Sequence, residues 1–265
     1  MLELSLSSET TERLAHLDVA WEQEMLQRLP FPLAYAVNRM RQEEAPWDLL
    51  LKDALNTLLR YIALLGVSEY LASGDKPDHD VNDEVMNLAR PMSDGTWWKL
   101  AKACSHRRDP GRSLPELAAV VLRLDKAKDL AVGLRWDRYR LRSQPLGPIE
   151  ALIFARNKFF AHGITPEPPV KAQASAQIRQ LFRLVLDELA AIWSYDLCVP
   201  LPEGKTRQHY LLRGIGGFTK VTPPAGVSAD QAYLRLLNGS VLVLHPLVTV
   251  HGFADSSEGA GALVK

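Results

Sequence analysis

Apolar residues recur at helical spacing through the first three quarters of the chain. Over residues 8–29, Leu14, Leu17, Val19 and Trp21 stand among charges and predict a helix. L-P-F-P then interrupts the pattern, and Leu33 to Met40 predicts a short helix. Pro46 suits the first turn of a long helix reaching to about Ser73, with Gly74 following its end. That helix carries Leu49, Leu50, Leu55, Leu58, Leu59, Ile62, Leu65 and Val67, apolar around much of its girth, which predicts a place at the centre of a bundle. V-N-D-E-V-M-N-L-A opens another helix after the loop D-K-P-D-H-D. Ser93 is a candidate cap for a helix holding Trp97, Trp98, Leu100 and Ala103, with one tryptophan expected buried and the other at a rim. Helices are also expected over Leu114 to about Leu124, Ala127 to about Arg140, Pro148 to His162, and Val170 to about Ser194.

After Tyr195 the period changes. V-P-L-P-E-G-K, R-Q-H-Y-L-L-R, G-I-G-G and V-T-P-P alternate short apolar runs with turn residues, as strands do. In L-R-L-L-N-G-S-V-L-V-L, Asn238-Gly239 joins two apolar runs into a hairpin. The expected architecture is mainly α. A helical bundle spans residues 1–195, a small β-rich C-terminal module residues 196–254, and a linker-like tail residues 255–265.

Composition narrows the function. Lys plus Arg and Asp plus Glu both number 31, so the net charge is zero, and any contact with nucleic acid must be local. Cys104 and Cys198 stand far apart with no disulfide or zinc spacing, which suits a reducing compartment. The start lacks the pattern of a signal peptide, and no apolar run reaches the ~18 residues of a membrane span. A cytoplasmic protein without a membrane partner is expected. No sequence pattern calls for a metal or a cofactor.

The candidate chemistry lies in A-R-N-K-F-F-A-H-G, Ala155 to Gly163. On a helical wheel with Ile149 at zero, Leu152, Ile153, Phe159 and Phe160 fall within ~80° on either side, and Arg156 falls inside that apolar arc. An arginine there must be matched by a carboxylate, carbonyls or a bound anion, because an unpaired buried charge is costly. Gly163 marks the helix end, so His162 sits in the last turn, where the helix dipole favours its charged form.

R-N-K-F-F-A-H resembles the active-site motif of the HEPN superfamily, an arginine and a polar residue followed by a histidine, set near the end of a helical bundle. The resemblance implies a metal-independent endoribonuclease of bacterial stress response or phage defence. In such enzymes the ribose 2′-oxygen attacks the neighbouring phosphate and leaves a cyclic phosphate. It assigns His162 as the proton-transferring group, Arg156 as the cation against the phosphorane, and Asn157 as the residue that orients the histidine or the phosphate. It also implies a homodimer in which two motif helices pool their residues in one cleft. An antitoxin-controlled toxin would share this mechanism. Related bundles also serve without catalysis, as sensor or dimerisation modules that regulate an effector partner or fused domain. In that case the arginine pairs with a buried acid and the histidine caps carbonyls. A buried acid paired with Arg156 inside one subunit, with His162 facing its own helix end, would favour the non-catalytic role. Two motifs facing one cleft would favour cleavage.

Other stretches carry weaker signals. R-W-D-R-Y-R-L-R interleaves arginines with aromatics, and Arg135, Arg138, Tyr139, Arg140 and Arg142, with Lys158 on the motif helix, are the candidate RNA contacts. The first reading of the same segment is a solvated helix face with aromatic anchors. D-H-D-V-N-D-E, Asp78 to Glu84, groups acids without the glycine and distal glutamate of a calcium loop, and acids in a first helical turn account for it. Phe159 and Phe160 are expected in the core, and His245 and His251 are expected to be structural. G-I-G-G reads as a turn, not a phosphate loop.

Overall fold

A computed structural model describes residues 2–41, 47–74, 77–107, 112–136, 139–140, 145–157, 168–203 and 206–244. These residues form a mainly α fold with two antiparallel sheets. The helices among them are α1 (Ser8–His16), α2 (Val19–Arg28), α3 (Phe31–Arg41), α4 (Trp47–Ala72), α5 (His79–Met86), α6 (Asp94–His106), α7 (Pro115–Lys126), α8 (Pro148–Arg156) and α9 (Pro168–Glu188).

The helix α4 is the axis of the bundle. Leu51, Leu55, Leu58, Leu59 and Ala63 are fully buried along it, as its all-round apolar pattern requires. Gly74, at φ 64°, follows its end in the left-handed conformation that glycine adopts without strain. Gly66 lets α6 come close: a Cβ there would lie 2.8 Å from Cys104 Cβ.

Three helical boundaries differ from expectation. Residues 8–29 hold two helices, because Leu17 leaves the helical conformation and the Asp18 side chain accepts from Trp21 N–H to start α2. That break leaves Val19 exposed. The last long helix begins at Pro168 and stops at Glu188, and a short 3-10 turn over Ile192–Ser194 leads into the sheet. The third difference concerns the arginine-rich stretch. No helix runs from Ala127 to Arg140: a 3-10 turn (Lys128–Leu130) gives way to β2 (Gly133–Trp136) and β3 (Tyr139–Arg140). The strand β1 (Leu2–Ser5) pairs antiparallel with β2 and completes a three-stranded sheet. L-R-W alternates at the strand period and pairs on one side with β1, more than a hundred residues earlier, and on the other with Y-R of β3, so strand pairing overrode the local helical spacing.

The C-terminal strands are β4 (Asp196–Glu203), β5 (Thr206–Arg213), β6 (Gly217–Val221), β7 (Tyr233–Arg235) and β8 (Val241–Val243), in the order β6-β5-β4-β7-β8. The hairpin at Asn238-Gly239 is present: Gly239 has φ 80°, and Asn238 Oδ1 accepts from Ser240 N–H at 2.9 Å. Gly214, at φ 67°, turns β5 towards β6.

The apolar core does not stop at the bundle. Leu197, Val199, Leu212, Leu234 and Leu242 belong to the same packed cluster as Leu58 and Ile62 of α4. Gly214 N–H also donates to Leu29 carbonyl at 2.9 Å, stitching the β5–β6 turn to the end of α2. Trp97 and Trp98 are both buried, at 8% and 2% exposure, so neither lies at a rim. No helix among the described residues is long and apolar enough to cross a membrane.

Candidate functional site

The helix α8 starts at Pro148 after Gly147, whose missing side chain is required by packing. A Cβ there would fall 2.4 Å from the Leu124 carbonyl oxygen. Ile149, Ala151, Leu152 and Ala155 are buried and fix which way the helix faces. At its end Asn157 keeps helical angles, and its N–H is shared between the Ile153 and Phe154 carbonyls.

Arg156 meets the demand made by its place on the apolar arc. Its guanidinium Nε lies 3.5 Å from Asp94 Oδ2, and Nη1 donates to Asn157 Oδ1 at 2.7 Å. Asp94 is the first residue of α6, just after Ser93, whose hydroxyl accepts from Thr96 N–H as expected of a cap. The Asp94 side chain is 3% exposed and that of Arg156 is 20% exposed. Asn56, from the middle of α4, donates to Asp94 Oδ1 at 2.8 Å. Among the described residues no hydrogen bond reaches Asp94 Oδ2. One turn along α4, Arg60 lies over the Trp97 ring at 5.6 Å.

Three elements therefore converge: α4 supplies Asn56, α6 Asp94, and α8 Arg156 with Asn157. Among the described residues, the charge beside Arg156 is the Asp94 carboxylate of the same chain. Asp94 and Asn56 were not singled out from the sequence. The available signal was an acid in the first turn of the tryptophan-bearing helix, which reads locally as a dipole-stabilising residue and says nothing of its cross-helix partner.

The remaining candidates separate into those described and those outside the described residues. His162 and Lys158 lie outside them, as do Phe159, Phe160, Arg138, Arg142, His245 and His251. Of the basic stretch, Arg135 and Arg140 stand directly opposite one another on β2 and β3, Trp136 stands opposite Tyr139, and Glu3 of β1 stands opposite Arg135. The described residues of the stretch lie on two antiparallel strands, so the helix reading of it is corrected.

The acidic segment Asp78 to Glu84 is accounted for locally. Asp78 Oδ1 accepts from Val81 N–H and caps α5, and exposed His79 and Asp83 face each other at 3.2 Å. No metal-binding group of His, Cys, Asp or Glu occurs among the described residues. Both cysteines are buried and free, and burial pushes the Cys104 thiol up to about 12, the opposite of an activated nucleophile.

No protein-family model, curated protein or solved structure matches this chain.

Proposed function

We propose that the chain is a non-catalytic HEPN-like module, a sensor or dimerisation unit that regulates an effector partner or a fused domain. The observation that carries this reading is Asp94. It places a buried carboxylate beside Arg156 within one subunit, so the arginine is matched without a phosphate. Asn56 completes the arrangement by holding the other carboxylate oxygen. A guanidinium whose charge is already balanced attracts a phosphodiester less than a bare one does. On this reading the polar end of α8 is a clasp that pins α8 to α6 and α4.

The deciding experiment joins two measurements. Wild-type protein is incubated with varied RNA in EDTA, and the stability of Arg156→Ala is measured by urea unfolding. The module predicts intact RNA together with a clear loss of stability in the variant. Cleaved RNA would overturn it.

A second reading is favoured by the same geometry seen from the other side. Arg156 is held on its Nε edge by Asp94 and at Nη1 by Asn157, yet a fifth of its side chain remains exposed. A guanidinium fixed in this way is preorganised for phosphate oxygens. The reading is a metal-independent endoribonuclease acting on RNA as a homodimer through the motif helix, with His162 moving the proton and Arg156 stabilising the phosphorane. It predicts 2′,3′-cyclic phosphate ends formed in EDTA, and loss of cleavage in His162→Ala with no change in assembly.

A further inference from the structure

We infer that the edge strand β6 is a self-pairing surface, on which a second copy of this chain adds its own β6 antiparallel to make one continuous sheet. The inference concerns the C-terminal sheet and places self-association there rather than on the motif helix, so it goes with the first reading of the α8 end.

Among the described residues the strand β6 pairs only with β5 and forms one border of the five-stranded sheet. Its first four residues are exposed and Val221 is half-buried. Along G-F-T-K-V every second residue directs its backbone N–H and C=O away from β5. Such edges are normally blunted by proline, a bulge or an uncompensated charge. Here Pro223 and Pro224 come only after the strand, and the register with β5 is unbroken from Gly217 to Val221. The single charge, Lys220, is already neutralised by Glu203 at 2.8 Å. The opposite border differs: β8 has three residues, centred on buried Leu242, whose side chain is part of the core cluster packed around α4.

The strand is complementary to itself. A two-fold axis through Thr219 sets threonine opposite threonine, each Phe218 opposite the partner copy's lysine of the same strand, and each Val221 opposite the partner copy's glycine. No like charges oppose one another, and an ammonium meets an aromatic ring twice. An aromatic shelf lies beside the edge. Phe218 packs on Phe31 with ring centres 5.0 Å apart, Phe31 lies 6.0 Å from Tyr35, and Arg39 lies 5.9 Å over the Tyr35 ring. Phe218 and Tyr35 are each 37% exposed. Five strand residues and this shelf bury less than the ~1,600 Å² of a standard interface, so the pairing is reversible and concentration-dependent.

Sedimentation velocity over a wide concentration range tests this, with Thr219→Lys and Thr219→Glu as probes. Thr219 is exposed and on the axis, so either variant sets like charges face to face without disturbing the core. The expected result is a reversible dimer for the wild type and monomers for each variant with unchanged circular dichroism. Mixing the two variants should restore the dimer. A wild type that stays monomeric, with or without an added extended peptide that binds β6, overturns the proposal. So does a dimer that persists in both single variants.

Discussion

The seam between α6 and α8 closes with an ion pair at each end, and the two ends are built to different standards. At one end Lys102 Nζ is held by Asp125 Oδ1 at 3.0 Å and Glu150 Oε1 at 3.1 Å, and sits 5.7 Å from the centre of the Trp98 ring. At the other end Arg156 Nε stands 3.5 Å from Asp94 Oδ2, an oxygen that no hydrogen bond reaches among the described residues. The first is a closed clasp in which the cation touches everything it needs. The second carries the same charges more deeply buried and less completely satisfied. Under-satisfied buried groups tend to mark places where a protein gives up stability for something else. The difference makes the Asp94 end of the seam the place to test for function.

Both ends follow from helix dipoles. Asp94 starts α6 and Glu150 lies in the first turn of α8, while Arg156 ends α8. Two helices with acids at their starts and bases towards their ends, packed antiparallel, bring acid against base at both ends of the contact.

The largest expected effect is at the looser end. Among the described residues, Arg156→Ala leaves the almost fully buried Asp94 carboxylate with Asn56 alone to hold it, and stability should fall by about 3 kcal/mol. Asp94→Asn should cost less, about 1–2 kcal/mol, because Arg156 is partly exposed and can turn towards water. The double variant should lose clearly less than the sum, since the neutral amide that replaces the Asp94 carboxylate no longer strands a charge. Urea unfolding of the four proteins measures this cycle. Strict additivity would mean that the two side chains do not sense one another.

The tighter end should yield less. Lys102→Met keeps the stem beside Trp98 and removes the charge, and should cost about 1–2 kcal/mol, because Asp125 and Glu150 retain some contact with water. It also has a pH signature. Burial lowers the Lys102 pKa, but hydrogen bonds from Lys102 to Asp125 and Glu150 outweigh it and the value is raised. A raised lysine stabilises fully below its unfolded value and loses that contribution as pH climbs through its folded value. The difference in unfolding midpoint between wild type and Lys102→Met should therefore be constant through neutral pH and shrink from pH ~10 upward. A difference that grows with pH would reverse the assignment.

These two ends were unequally legible in the sequence. The helical wheel put Arg156 on the apolar stripe and required a partner, and this followed from local periodicity alone. That the partner is Asp94 depends on how α6 crosses α8, which no local pattern encodes. The same limit explains the arginine-rich stretch: its pairing with β1 is set by residues at the other end of the chain. The β module was readable because its cue, Asn238-Gly239 between apolar runs, is wholly local. Ser93 and Pro148 were readable as helix starts for the same reason, while the division of residues 8–29 turned on one capping side chain, Asp18.

The smallest expected effect on stability comes from Asn157, and it separates the two functional readings most cleanly. Asn157→Ala removes the 2.7 Å hydrogen bond from Arg156 Nη1 and leaves the helix end otherwise intact, because the residue keeps helical angles that alanine also favours. The bond joins neighbouring, half-buried side chains, so its loss should cost only about 0.5–1 kcal/mol. Asp94 still balances the guanidinium, so assembly and fold should be unchanged. If α8 ends in a structural clasp, this variant is indistinguishable from wild type in every assay except a small shift in unfolding midpoint. If Arg156 is held for a phosphate, freeing Nη1 lets the fork rotate, and misplacing such a group by about 1 Å costs on the order of 100-fold in rate. A near-silent change in stability paired with a large loss of RNA cleavage would place the chemistry at this end of the seam, and the absence of any cleavage to lose would leave it a clasp.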